Sequence, residues 1–291
     1  MPILDPEFMS KLDQLELISR KIFTGRMKGE RRSKKRGISI EFADYRDYSP
    51  GDDLRFLDWN IYGRLDRLFL KLFMEEEDLF VYLLVDRSIS MDFGEPTKLD
   101  YAKKVAAALG YIALVNMERV SVGGFSDTVH DYFRPSRGKG NSWKLFQFLE
   151  SIQPDGSTVL VESCRNFALR HQTKGVVIIL SDFMDPSGYD AAFQYFVGQK
   201  YEVFAIQILS DEEVEPPFAG DLKLVDAETG TNAEITVSGP LLKAYRNRLQ
   251  NFTDGLKNYC TQRGIAYLYT TTSMPFDQLI LNYFRQGGLV K

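Results

Sequence analysis

Three oxygen-bearing side chains stand at every second position in Asp86-Arg87-Ser88-Ile89-Ser90, directly after the apolar run Leu79-Phe80-Val81-Tyr82-Leu83-Leu84-Val85. In extended backbone a period of two turns Asp86, Ser88 and Ser90 to the same side. One carboxylate and two hydroxyls meeting there make half of an oxygen shell for a hard cation. None of the three is an obvious general base, so the triplet suits binding better than catalysis. Two later segments offer further oxygens. Asp155-Gly156-Ser157-Thr158 is a polar loop ahead of a helical pattern, and Leu180-Ser181-Asp182 ends an apolar run as Asp86 does. Asp86, Ser88, Ser90, Thr158 and Asp182 together would hold Mg2+ or Mn2+ through hydroxyls, one or two carboxylates and retained water. Such a set leaves the ion under-neutralised, and an open position on it would attract an Asp or Glu from a partner protein.

The elements around these residues alternate. The run 79–85 is apolar at consecutive positions and reads as a parallel strand buried on both faces. Further strands are expected at Arg119 to Phe125, Thr128 to Phe133, Gly175 to Asp182, Tyr201 to Leu209 and Ala266 to Thr270. Helical spacing falls between them, over Lys98 to Met117 with Thr97 as N-cap, Ser142 to Ile152, Val159 to His171, Tyr189 to Gly198 and Gly239 to Arg263. Strands alternating with helices imply a mostly parallel sheet covered on both faces. Ligands of such sheets sit outside the carboxyl ends of the strands, where Asp86 and Asp182 fall. The segment from Thr128 follows its predecessor after a very short turn, so it is expected as an antiparallel edge strand.

The first part of the chain differs. Leu12, Leu15, Ile18 and Ile22 have helical spacing, predicting an amphipathic helix over Met9 to Phe23. Arg26 to Gly37 is basic and punctuated by glycine; it lacks interleaved aromatics for stacking on bases. Tyr48-Ser49-Pro50-Gly51-Asp52-Asp53 has turn chemistry, and Leu68 to Phe73 reads as extended. Arg46, Asp52, Asp53, Arg55 and Asp58 are expected to form a charge-assisted network, with Trp59 as a core or junction aromatic. The division expected is residues 1–77 as an N-terminal extension and 78–291 as the main domain.

Composition narrows the function classes. The 291 residues carry 44% hydrophobic and 13% aromatic side chains, enough for a full core, and a net charge of −4. That balance disfavours general affinity for nucleic acid or membrane surfaces. No apolar stretch is long enough to span a bilayer, and the N-terminus does not read as a signal peptide. Cys164 and Cys260 are the only cysteines and have no CxxC spacing. They exclude a disulfide framework, read as buried small apolar residues, and fit a reducing cytoplasm. His130 and His171 show no metal-ligand spacing, and Gly138-Lys139-Gly140 is a turn rather than a phosphate loop.

Asp86-x-Ser88-x-Ser90 with Thr158 and Asp182 resembles the metal-ion-dependent adhesion site of von Willebrand factor A domains. Val120 to Asp127 resembles the second strand of that fold. Upstream, Arg36-Gly37-x-Ser39-x-Glu41-Phe42, Asp44-Tyr45-Arg46-x-Tyr48, Pro50-Gly51-Asp52-Asp53-x-Arg55, Asp58-Trp59, Arg64 and Leu70-Lys71-x-Phe73-x-Glu75 resemble the signature of the bacterial "domain of unknown function 58" family. Ser39 and Gly63 depart from that pattern, where a second Gly and an Ala are common. The resemblance implies an α/β fold: a three-layer von Willebrand factor A-like (Rossmann-type), mostly parallel sheet with helices on both faces, plus an N-terminal extension. It implies a non-enzymatic protein-binding module that docks an acidic residue of a partner through the metal site. It also implies a partner, a MoxR-type AAA+ ATPase or its client, because members are often encoded beside such ATPases.

Two other classes compete. A phosphatase-like, metal-dependent hydrolase of the haloacid dehalogenase class also places an Asp after its first parallel strand, but its chemistry wants a second Asp two residues on, where this chain has Ser88. An anion or nucleic-acid binder would use residues 26–37, and its affinity would fall steeply with salt.

Overall fold

The computed structural model describes residues 3–15, 41–74, 79–171, 173–217, 220–225 and 232–283. These fall into two compact units, one of residues 41–74 and one of residues 3–15 with everything from Leu79 onward. The basic stretch 26–37 and the second half of the helix expected over Met9 to Phe23 lie outside the described residues.

The larger unit begins with α1 (Pro6–Leu12). This helix starts earlier than the apolar spacing suggests because Pro6 occupies the first turn, where its missing N–H costs nothing. It stops at Leu12. The next residue, Asp13, accepts hydrogen bonds from Tyr111 Oη (2.7 Å) and Lys139 Nζ (2.8 Å). Leu4, Phe8, Leu12 and Leu15 bury in the main core, so the first residues pack with the later domain rather than with residues 41–74 as a single extension.

The smaller unit is β1 (Glu41–Asp47) paired antiparallel with β2 (Phe69–Met74), with α2 (Trp59–Leu65) between them. Asp58 organises it. Its Oδ1 accepts the N–H groups of Asn60 and Ile61, capping α2. Its Oδ2 accepts from Tyr45 Oη (3.2 Å) and pairs with Lys71 Nζ (3.1 Å), so both strands are tied to the helix start. The expected single network is instead three separate clusters. Arg46 pairs with Asp52 (2.9 Å) and Arg55 with Asp53 (2.6 Å), while Asp58 bonds elsewhere. The cause is local: Asp53 accepts from Arg55 two residues on, and Asp52 is turned back onto the Ser49 N–H. Trp59 is 62% exposed, not a core residue, and packs edge-on to Tyr62.

The larger unit continues with β3 (Phe80–Asp86), α3 (Lys98–Val115), β4 (Arg119–Phe125), β5 (Val129–Ser136), α4 (Ser142–Ser151), α5 (Leu160–Arg170), β6 (Val176–Ser181), α6 (Asp190–Gly198), β7 (Glu202–Leu209) and α7 (Asp211–Val214). Then come β8 (Gly220–Val225), β9 (Asn232–Val237), α8 (Gly239–Gln262), β10 (Ala266–Thr271) and the short turn α9 (Phe276–Gln278). Six strands form one sheet in the order β10-β7-β6-β3-β4-β5, parallel except for β5, which pairs antiparallel with β4 at the edge. The hairpin of β8 and β9 is a separate two-stranded antiparallel sheet.

The two faces of β3 show why it must be central. Val81, Leu83 and Val85 join one core, with α1, α3 and α4; Tyr82 and Leu84 join the other, with α5, α6 and α8. A strand apolar at every position can bury only between two layers. The result is the three-layer α/β architecture with a mostly parallel sheet expected from the sequence.

Two outcomes test these assignments. A Cβ on Gly175 would run into the carbonyl oxygen of Phe80, a backbone atom that cannot swing away. Gly175→Ala therefore prises β6 from β3, and chemical denaturation should register a loss of about 1–3 kcal/mol. Asp58→Ala removes a helix cap and a strand tie together, and leaves a Lys71 that can still reach water. Its unfolding midpoint should fall, whereas Asp47→Ala, whose ion pair with Arg67 is exposed on both sides, should leave the midpoint in place.

Candidate metal-binding site

Running outward from β3, the chain goes through β4 to β5 on one side and through β6 and β7 to β10 on the other. The order therefore reverses between β3 and β6, and such a switch point opens a crevice at the carboxyl ends of the two strands. Asp86 is the last residue of β3, and Asp182 follows the last residue of β6, with Val85 opposite Leu180 in the ladder. Both carboxylates are buried, at 0% and 1% exposure.

Each accepts a backbone N–H from its own turn, and Asp86 also accepts from β6. Asp86 Oδ1 accepts from the Ser88 N–H (3.0 Å), and Oδ2 from Ser181 Oγ (2.5 Å). Asp182 Oδ1 accepts from the Met184 N–H (2.9 Å). Burial and the neighbouring Asp182 charge push the Asp86 carboxyl up to about 7, against the hydrogen bonds from Ser181 and Ser88.

The hydroxyls follow from the same turn. Ser88 is fully buried and Ser90 half-buried, with their Oγ atoms 2.9 Å apart. Thr158, also buried, is brought to this end of the sheet by its backbone. The Ile89 N–H donates to Gly156 O (3.0 Å), Asp155 N–H to Arg87 O (2.8 Å), and Val159 N–H to Ser126 O (2.9 Å). The loop carrying Thr158 is thus stitched to the segment carrying Ser88 and Ser90. All five expected residues lie at one end of the sheet, Asp86 as the last residue of β3 and the other four in the turns and loops beyond the strands.

Four further residues belong to this region and have no signal in spacing alone. Ser181 bridges Asp86 Oδ2 and the Phe183 N–H. Asp185 accepts the Leu160 N–H (2.7 Å), fixing the start of α5 beside Thr158. Lys98, the first residue of α3, is completely buried; its Nζ lies 2.7 Å from Asp182 Oδ2 and 2.5 Å from Glu213 Oε1. Its two carboxylates hold the ammonium above the ordinary lysine range despite burial, which works the other way. Burial raises the Glu213 carboxyl, and Lys98 opposes that.

The donor chemistry fits a hard divalent ion. Asp86 and Asp182 bring two buried carboxylates to this end of the sheet, and the Lys98 ammonium is shared between Asp182 and Glu213. Among the described residues no three His, Cys, Asp or Glu side chains are grouped to hold an ion, so the hydroxyls are an essential part of any such set. His171 stacks on Phe167 and lies tilted against Tyr82 at the far end of α5. Both cysteines are buried, which raises Cys260 to about 12 and Cys164 higher still. No helix among the described residues is long and apolar enough to cross a membrane.

A protein of Mycobacterium bovis and one of Mycobacterium tuberculosis are each 26% identical over 245 residues, covering 81% of this chain and 76% of theirs. Among solved structures, BatB from Bacteroides thetaiotaomicron matches with a TM-score of 0.46 at 13% identity, over 72% of this chain and 98% of that one. An aerotolerance-related membrane protein from Bacteroides fragilis matches with the same TM-score at 15% identity, over 72% of this chain and 99% of that one. The model of the family described as "Protein of unknown function DUF58" matches residues 44–252. Spanning the signature around Asp58, the Asp86 triplet and both halves of the switch point, that match makes the chain a member of the DUF58 family.

Proposed function

We propose that the chain is a non-enzymatic docking module that binds an acidic residue of a partner protein at the carboxyl end of β3 and β6, through Mg2+ or Mn2+. The observation that carries this reading is the burial of Asp86 and Asp182 side by side at the switch point, with the hydroxyls of Ser88 and Ser90 in the adjoining turn. Asp86, Ser88, Ser90, Thr158 and Asp182 would hold the ion, directly or through water. The ion would supply a Lewis-acidic position that a partner carboxylate completes. The chain's own part is to keep the five oxygens in place: Ser181 and the Ser88 N–H fix Asp86, the Met184 N–H and Lys98 fix Asp182, and the Gly156 backbone holds the loop of Thr158. The partner we propose is a MoxR-type AAA+ ATPase or its client, in the cytoplasm.

The hydrolase reading has less support. Phosphoryl transfer of that class needs an acid two residues beyond the nucleophilic Asp, and Ser88 there is hydrogen-bonded to Ser90. The basic segment 26–37 remains the basis for a nucleic-acid reading, which a salt titration of binding tests.

Metal addition should stabilise the fold by mass action. At one hundred times its dissociation constant the ion adds about 2.7 kcal/mol, or roughly 5–10 °C in Tm for a chain of this size. Asp86→Ala should abolish that rise, and pull-down of the partner should be lost with chelator and with Ser88→Ala alike. Equal recovery with and without chelator would move docking to another surface.

The metal-free protein should also have a characteristic pH profile. Asp86 binds its proton more tightly folded, up to about 7, than unfolded, near 3.9, so between those values the folded state carries more protons. Stability without metal should therefore decline as pH rises from about 4 to 7, and Asp86→Asn should flatten the curve. Thermal melts at several pH values in chelator read this directly.

A further inference from the structure

We propose that Lys98 sets how strongly the candidate site binds its ion, by holding part of the charge of Asp182 away from it; this rests on the docking reading above. The placement of Lys98 is otherwise unfavourable. A lysine is almost never fully buried unless paired, and a cation at the first position of a helix opposes the helix dipole. Thr97 caps α3 normally through the Asp100 N–H, so the helix start does not need a lysine. What the ammonium meets explains it: Asp182 Oδ2 at 2.7 Å and Glu213 Oε1 at 2.5 Å.

Glu213 is itself clamped. Its Oε2 accepts from the Ser210 N–H (2.9 Å), its own N–H donates to Ser210 Oγ, and its carbonyl accepts from Tyr245 Oη (2.8 Å) on α8. It cannot follow the ammonium toward the site or retreat from it. One buried ammonium is therefore shared between two fixed carboxylates, and only one of them belongs to the candidate site. The share that falls on Asp182 lowers the negative charge available to an ion and raises the ion's demand for an outside carboxylate. Lys98 is a positioning residue in this sense: it acts through Asp182 and Glu213.

This division of charge makes opposite predictions for neighbouring substitutions, which a purely structural role would not. Glu213→Gln leaves the whole attraction of Lys98 on Asp182 and removes a nearby negative charge, so Mn2+ should bind roughly three- to tenfold more weakly. Lys98→Met combined with Glu213→Gln removes both charges of the pair and frees Asp182, so Mn2+ should bind about tenfold more tightly than to Glu213→Gln and more tightly than to the wild type. The experiment is a titration of the full chain with Mn2+, read by the electron paramagnetic resonance of the free ion, with circular dichroism to confirm folding. Glu213→Gln decides the matter alone if the double variant does not fold, because Glu213 lies at the edge of the buried region. Binding by Glu213→Gln equal to or tighter than the wild type overturns the inference, as does a folded double variant no tighter than Glu213→Gln. Wild-type binding no better than that of Asp86→Ala overturns the docking reading and this inference together. Wild-type binding that depends on Asp86 but is unmoved by Glu213→Gln overturns this inference alone.

Discussion

Asp86 and Asp182 are two carboxylates placed side by side where water cannot reach either. Removing an unpaired charge from water is among the most expensive things a fold can do. Much of the larger unit is arranged around that cost. The strands beneath are apolar on both faces, so β3 and β6 cannot shift to open the crevice. Backbone N–H groups of Ser88 and Met184 and the hydroxyl of Ser181 aim at the carboxylates because tight turns follow both strands. Helix α3 begins so that its first side chain reaches Asp182, and α7 follows β7 so that Glu213 reaches the same ammonium. Even so, burial outweighs the local donors at Asp86, whose carboxyl stays well above its ordinary range.

The legible part of this structure is the part that depends on one strand or helix at a time. The run from Leu79 to Val85 can be read as central because no other environment buries seven consecutive apolar residues in extended backbone. Thr128 to Phe133 can be read as an antiparallel edge because two residues of turn allow nothing else, although β5 extends three residues further, to Ser136. The spacing of Asp86, Ser88 and Ser90 marks the first half of the candidate site, although Ile89–Met91 is a 3-10 turn rather than extended backbone; Asp182 is marked by an apolar run that ends in Asp, as the run before Asp86 does. Thr158 is legible only as part of a polar loop ahead of a helix, since what brings that loop to this end of the sheet is a pair of backbone hydrogen bonds, Asp155 N–H to Arg87 O and Ile89 N–H to Gly156 O.

Lys98 shows where such reading stops. Within the sequence it is one lysine at a helix start, and the ordinary expectation is a solvated side chain. Its burial depends on Asp182, 84 residues on, and Glu213, 115 residues on. No periodicity connects them. The same limit explains the charged cluster of residues 41–74. Composition puts five charges close in sequence, but pairing follows side-chain reach and turn geometry. Asp53 is satisfied by Arg55 and Asp52 by Arg46 and Ser49, which leaves Asp58 to join α2, Tyr45 and Lys71. A helix cap that is also a cross-strand tie is a three-dimensional fact, and only the capping half of it is written in Asp58-Trp59-Asn60-Ile61.

The arrangement of charge separates the two broad readings of the site more sharply than the identity of its residues does. A hydrolytic centre needs groups that exchange protons with a substrate, free to gain and lose them during a cycle. Here every carboxylate oxygen of Asp86 and Asp182 already accepts a hydrogen bond from a fixed donor, and the one ammonium is locked between two carboxylates. Those contacts hold geometry and distribute charge. Around them stand Ile89, Phe93 and Met184, each more than a third exposed on the turns that leave β3 and β6. A rigid, charged centre with apolar neighbours resembles the composition of a protein interface, where a buried polar contact gives specificity and adjoining apolar side chains exclude water from it. A partner carboxylate entering such a site would gain strength from the low dielectric around it, and the same low dielectric would penalise any partner that arrived without one.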